Sequence, residues 1–304
     1  MPGMKDIRDH ISSVKSTQKV TNAMYLIAST KMRRAKEELA RTRPFFEAIS
    51  GEIERIFQCA EELNSPYFFE GDADDDTQPG TYAYLVVTAD RGLAGAYNQN
   101  VIQETLRRIK KHPNSRLFAV GSNGRQFFAN HGVPVEKSFL YTAQNPSLSH
   151  ARAVAALLLD LYDRREISKI FLIYTDLGNG VDMSVRTARL LPLESRRFLS
   201  AEEKRRLRQI RFEPSPEAVL ASVVPAYVAG FLYAAVVDSF CAEQNARAAA
   251  MDAANQNEEE LLRELTLAYN HERQGSITQE ITEVSAGARS KHNTEGGALH
   301  HAQG

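Results

Sequence analysis

The chain has 304 residues, 43% of them hydrophobic and 25% charged, with a formal net charge of −1. Such a balance supports a sizeable core, as one large domain or two ordinary ones, and no global charge points to nucleic acid. Two distant cysteines, Cys59 and Cys241, exclude a disulfide framework, a metal-ligand spacing and a CxxC redox pair, and they fit a reducing compartment as packed thiols.

The opening MPGMKDIRDH lacks the apolar segment of a secretory signal, and its two acids argue against a transit peptide. Residues 1–66 then read as one long helix. Met32, Ala35, Leu39, Thr42, Phe46, Ile49, Ile53, Ile56, Ala60 and Leu63 alternate by three and four, the spacing of a coiled-coil seam. Ile7, Ile11 and Val14 start the same rhythm, and Met24 and Ala28 rejoin it after a shift, which reads as a stutter. Pro44 is the one interior breaker and predicts a kink near Arg43. About 57 helical residues would reach about 85 Å, so the helix is expected to project and its stripe to need a partner.

Residues 67–80, with FFEGDADDDTQPG, read as an acidic, mobile linker. From 81 to 212 the rhythm changes to that of an α/β domain with a mostly parallel, Rossmann-like sheet. TYAYLVVTAD is a buried strand, NVIQETLRRIKKH a helix, RLFAVGS a strand and GRQFFANHG a short helix stopping at Gly132. SHARAVAALLLDLYDRREI is a further helix, KIFLIYTD and MSVRTARLLPL are strands, and SAEEKRRLRQI is a charged helix or loop. Residues 213–288 form the second long helix, with Pro225 marking or kinking its start and only Gly230 and Gly275 interrupting its composition. Its alanine-rich NARAAAMDAANQN allows close approach of two helix axes. Two such terminal helices, joined through a middle domain, pair most simply antiparallel; a bundle of shorter helices would need turn signals that are missing. Residues 289–304 form a polar tail expected to be disordered. No stretch approaches the run of about 18 apolar residues of a membrane-spanning helix.

Charge is unevenly divided between the termini. Residues 1–43 carry ten Lys or Arg against four acids, whereas residues 243–283 carry nine acids against three Arg. A solvated helix face is the ordinary account of such a run.

Catalytic chemistry is hard to place. The loop after the first strand, ADRGLAGAYNQN, sets Asp90, Arg91, Gly92 and Gly95 where open α/β sheets bind ligands. It is neither GxGxxG nor GxxxxGK[ST], and a tight turn with close backbone packing explains both glycines equally well. Asp90 and Arg91 are read as a local ion pair, with a partner contact as the alternative. Eight scattered histidines form no HExxH. Asp74 to Asp76 lack the glycine and closing glutamate of a calcium loop. No catalytic, metal or cofactor site is assigned, and no cofactor is called.

Several stretches carry a resemblance: STQKVTNAMYLIASTKMRRAK, TADRGLAGAYNQN, NARAAAMDAANQN and LTLAYNHERQGSITQEITEV, in that order. Together they are similar to the gamma subunit of F-type ATP synthase over nearly the whole chain. Here DRGLAGAYN carries alanines where many relatives have cysteine and glycine, Glu272 and Gly275 replace common alanines, and the C-terminal end is longer than usual. The resemblance implies a non-catalytic rotor shaft. Its paired helices would stand inside a ring of three alpha and three beta subunits, and its α/β domain against the epsilon subunit and the c-ring of the membrane sector. It would sit peripherally on the cytoplasmic side of a bacterial membrane, without insertion. The resemblance places coupling contacts at Met24, Arg247, Gln274, Thr278, Glu280 and Thr282. Lys31, Arg33 and Arg34 are expected to face acidic loops on beta, while Met24, Ala28 and Met32 form the seam. A coiled-coil arm that binds RNA is the alternative; the acidic second helix disfavours phosphate contact.

Overall fold

The computed structural model describes residues 3–59, 65–69, 80–136, 139–178, 183–194 and 212–300, with the side chains of 59, 69, 194 and 288–300 left aside. It divides into two units, residues 26–250 and residues 1–25 with 251–304.

Helix α1 spans Met4–Cys59 and contains Pro44 without interruption. Its covered positions run Ile7, Ile11, Val14, Gln18, Thr21 and Met24, then Ala28, Met32, Ala35, Leu39, Thr42, Phe46, Ile49, Ile53 and Ile56. The seam therefore continues through the stretch read as a stutter, with polar residues filling it. Gln18 and Thr21 carry no apolar signal, so the pattern of hydrophobicity alone loses the rhythm there. In the smaller unit the Thr21 hydroxyl meets Asn255 Oδ1 at 2.5 Å and Glu258 Oε2 at 3.0 Å.

The second long helix, α5, spans Pro216–His300. Ser215 Oγ accepts from the Ala218 amide at 3.2 Å, Pro216 stands at the first helical position and Glu217 lies in the first turn. That is a complete set of start signals. Pro225 thus lies inside α5 and does not begin it. The expected tail from 289 keeps a helical backbone to His300, and residues 301–304 lie outside the described residues.

In the larger unit α1 and α5 run antiparallel: Cys241 Sγ lies 3.8 Å from the Met32 carbonyl, and Phe46 lies against Gly230. The coiled-coil pairing expected from the two termini is present in place of a bundle of short helices. Burial pushes the Cys241 thiol up to about 11, so it stays an inert packed thiol; the Cys59 side chain is outside the described set.

Between the helices lie β1 (Phe68–Phe69), β2 (Tyr82–Val87), α2 (Tyr97–Lys111), β3 (Ser115–Val120) and α3 (Ser122–Asn130). They are followed by α4 (Leu148–Asp163), β4 (Lys169–Asp176), β5 (Ser184–Leu191) and β6 (Leu193–Glu194). The main sheet has the order β3-β2-β4-β5, parallel except for the antiparallel edge strand β5. Along β2, Ala83, Leu85 and Val87 face one core cluster while Tyr82, Tyr84 and Val86 face another. Alternation between two apolar sets marks a sheet covered on both faces. Helices α4, α5 and the end of α1 cover the first face, and α2 and α3 the second. Part of the expected linker is ordered: Phe68 and Phe69 pair with β6, and the Tyr67 hydroxyl donates to Asp163 at 2.7 Å. Residues 70–79, with Asp74 to Asp76, and the charged segment 195–211 lie outside the described residues.

One expectation about α5 is overturned. An 18-residue window of this helix reaches a mean hydropathy of 1.9, enough to cross a membrane by length and composition. In the fold 44% of that window is buried. Leu220, Val224, Val228 and Leu232 belong to the core cluster shared with the sheet, and a helix covered on more than one side is apolar all round.

Gly230 belongs to the same packing. A Cβ placed there would lie 2.1 Å from the Phe46 ring, whereas one at Gly275 meets nothing within 4 Å. Helix propensity favours alanine at both by about 1 kcal/mol. We expect Gly275→Ala to stabilise the chain by about 0.5–1 kcal/mol and Gly230→Ala to destabilise it by about 1–3 kcal/mol through overpacking. Denaturant midpoints of the purified chain would decide; a rise for both would mean that Phe46 gives way freely.

Candidate functional site

The loop after β2 sits at the carboxyl end of the parallel strands, where an open α/β sheet offers ligands its free polar groups. In this chain α5 meets them. Ser239 Oγ accepts from the Thr175 amide at the end of β4, at 3.2 Å, and lies 2.8 Å from the Tyr97 hydroxyl. Arg247 reaches the loop itself: Nη2 donates to the carbonyls of Arg91 and Gly92 at 3.3 and 3.2 Å, and Nη1 pairs with Glu243 at 2.6 Å. Both partners of the pair are buried. Burial raises the Tyr97 hydroxyl well above its ordinary pKa, with Ser239 opposing, so Tyr97 serves as a neutral hydrogen-bonding group. Side chains of the chain's own second helix thus occupy the place that a nucleotide takes in related sheets.

Asp90 is not paired with Arg91. One carboxylate oxygen accepts from the Ser122 amide at 2.9 Å and the Ser122 hydroxyl at 3.0 Å, at the N-terminus of α3. The other accepts from the Thr142 hydroxyl and from the amides of Ala143 and Gln144, at 2.8 and 3.0 Å. Five donors and a helix N-terminus explain why the ion pair fails to form: the carboxylate is already satisfied. Burial opposes its charge, but the bonds from Thr142 and Ser122 outweigh that and hold Asp90 below the ordinary carboxylate value. The Arg91 side chain is exposed and makes no ion pair among the described residues.

The two glycines also differ. Gly95 has φ +52, a left-handed backbone, whereas a Cβ at Gly92 would meet nothing within 4 Å. Close packing therefore does not account for Gly92. Leu93 takes a left-handed φ of 60 and is 65% exposed, a strained position for a leucine.

The remaining expected contacts are dispersed. Met24 and Met32 are half-buried and Ala28 is buried, while Lys31, Arg33 and Arg34 are exposed. Among the described residues Arg33 has a 4.0 Å contact with Glu37, which at an exposed site contributes little. Gln274, Thr278, Glu280 and Thr282 lie exposed on α5. The hydroxyls of Thr278 and Thr282 bond back to the carbonyls of Gln274 and Thr278, each at 2.8 Å. Exposed Ile277, Ile281 and Val284 stand four and three residues apart on the same helix, with Leu267 one further exposed leucine. Among the described residues no cluster of His, Cys, Asp or Glu could hold a metal ion. The sequence reading passed over Glu243, Ser239, Ser122 and Thr142; of these only Glu243 had a signal, its spacing of four from Arg247.

A family model described as ATP synthase matches residues 3–290. The ATP synthase gamma chain of Caldanaerobacter subterraneus subsp. tengcongensis is 39% identical over 295 residues, covering 94% of this chain and 99% of that one. The sodium-ion-specific ATP synthase gamma chain of Acetobacterium woodii is 33% identical over 300 residues, covering 94% and 97%. In fold, the chain is similar to a chain in the OSCP/F1/c-ring structure of the Euglena gracilis mitochondrial ATP synthase. There the TM-score is 0.65 at 15% identity, covering 96% of this chain and 95% of that one.

Replacing Asp90 with alanine would strand several donors at once, and we expect a loss of about 2–4 kcal/mol. Its lowered pKa fixes the pH dependence. The contribution is complete above the unfolded value near 4 and is lost as pH falls through the lower folded value. The stability gap between the native chain and Asp90→Asn, followed by unfolding at stepped pH, should narrow below about pH 4; a gap that widened there would contradict the assignment.

Proposed function

The chain belongs to the gamma-chain family of ATP synthases, and from that membership we propose that it is the central-stalk rotor of the complex. As rotor it transmits rotation, driven by ion flow through the membrane ring, to a catalytic head of three alpha and three beta subunits. It also regulates ATPase activity and ion flow, and it performs no chemistry of its own. Its partners are the alpha, beta and epsilon subunits and the c-ring, and it lies peripherally on the cytoplasmic side of a bacterial membrane.

The observation that carries this reading is the family match over residues 3–290, extending through both long helices and the sheet between them. Two structural features support it. The crevice at the end of the sheet is filled by α5, which fits a domain used as a mount. The exposed apolar set Leu267, Ile277, Ile281 and Val284 on α5 fits a helix that runs inside a larger assembly. Mechanically, a rotor biases each beta subunit only if its contacts differ between that subunit's conformations. Met24, Lys31, Arg33, Arg34, Arg247, Gln274, Thr278, Glu280 and Thr282 are proposed as such contacts, with Asp90, Arg91, Gly92 and Gly95 forming the loop of the lower domain. Arg247 stands apart from the others, because its guanidinium is already committed within the chain.

Co-expression with alpha and beta subunits should give a stable complex holding one copy of this chain per three beta subunits; failure to assemble would count against the rotor. Within such a complex Met24→Lys adds a cation beside a half-buried seam position. We expect ATP hydrolysis to continue while ATP-driven ion transport falls by at least about twofold, read as ion uptake into vesicles per ATP hydrolysed.

A further inference from the structure

Glu243 is only 3% exposed, and a carboxylate buried that deeply is unfavourable unless paired. Its Oε1 accepts from Arg247 Nη1 at 2.6 Å and from Gln244 Nε2 at 3.1 Å. Its Oε2 has no hydrogen-bond partner among the described residues. Desolvation pushes the carboxyl above its ordinary pKa and Arg247 pulls it back. A group so incompletely satisfied adds little to packing. Its effect is on Arg247, whose other nitrogen holds the carbonyls of Arg91 and Gly92.

The geometry requires a fork. One guanidinium nitrogen faces the carboxylate while the other faces two carbonyls, which an ammonium on a flexible stem cannot reproduce. Immediately beyond those carbonyls the chain turns left-handed at Leu93 and Gly95 and presents Leu93 outward. Asp90 pins the start of this loop to α3 and to residues 142–144, so Arg247 is the contact from α5 that fixes its middle.

We propose that Glu243 is a positioning residue: through Arg247 it sets the shape of the Arg91–Gly95 loop, and the coupling of hydrolysis to ion transport depends on that shape. This rests on the rotor reading above.

The test uses the complete complex in vesicles carrying Glu243→Gln, Arg247→Lys, both together, or Glu243→Asp. ATP hydrolysis, ATP-driven ion uptake and melting temperature are measured for each. Glu243→Gln and Arg247→Lys should each lower the ions moved per ATP by about twofold or more. If Glu243 acts through Arg247, the double variant loses no more than the worse single one. Glu243→Asp, which keeps the charge, should retain more coupling than Glu243→Gln even at a similar melting temperature. Normal coupling in Glu243→Gln, losses that multiply in the double variant, or coupling that merely follows melting temperature would each overturn the proposal. Should Glu243→Gln not assemble, Glu243→Ala, which also removes the charge, takes its place in the cycle with Arg247→Lys. A native complex that fails to assemble overturns the rotor reading and this inference with it; a native complex that couples beside an unaffected Glu243→Gln overturns this inference alone.

Discussion

In the larger unit α5 must be apolar on two sides at once, because α1 covers one and the sheet covers the other. The remaining features depend on that double burial. It explains why a stretch of α5 is as apolar as a membrane span although the fold covers much of it. It also explains why Gly230, a poor helix residue, sits where the Phe46 ring comes within 2.1 Å of a hypothetical Cβ. Any larger residue at that point would separate α1 from α5, and with them the shared core reaching Ile53 and Ile56.

The same helix decides what the sheet can do. A parallel sheet leaves polar backbone groups at its carboxyl ends, and those groups need partners. Here Ser239 meets the amide of Thr175, and Arg247 meets the carbonyls of Arg91 and Gly92. The site that would receive a nucleotide in other proteins of this architecture is thereby turned into a joint between helix and loop. A joint with a buried, half-satisfied carboxylate is sensitive to small displacements, since charge burial tolerates little misalignment. That property suits a part whose geometry must pass from one end of an assembly to the other.

Asp90 illustrates how the loop is held at its other edge. Its carboxylate joins the end of β2, the N-terminus of α3 and the chain at 142–144 through one satisfied group. Sequence proximity pointed to Arg91 as its partner. The reason it is not lies in residues 32 and 52–54 positions away, whose amides and hydroxyls point at Asp90 only after β3 and α3 have packed.

The two long helices, the alternating sheet, its parallel character and the family itself could be read from the sequence. Each rests on local periodicity or on contiguous motifs, and such signals survive without knowledge of what packs against what. The continuous seam through Gln18 and Thr21 was hidden because hydrophobicity reports only apolar side chains, whereas Gln18 is polar and Thr21 meets Asn255 and Glu258 by hydrogen bonds. The true start of α5 was marked by Ser215, Pro216 and Glu217, but Pro225 gave the louder signal. What only the tertiary structure decided is the partnership of isolated polar groups: Asp90 with α3, Ser239 with β4, Glu243 with Arg247 and the loop. Those pairings bring together residues up to 156 positions apart, and one chain's periodicity carries no information about which distant backbone groups will need a donor.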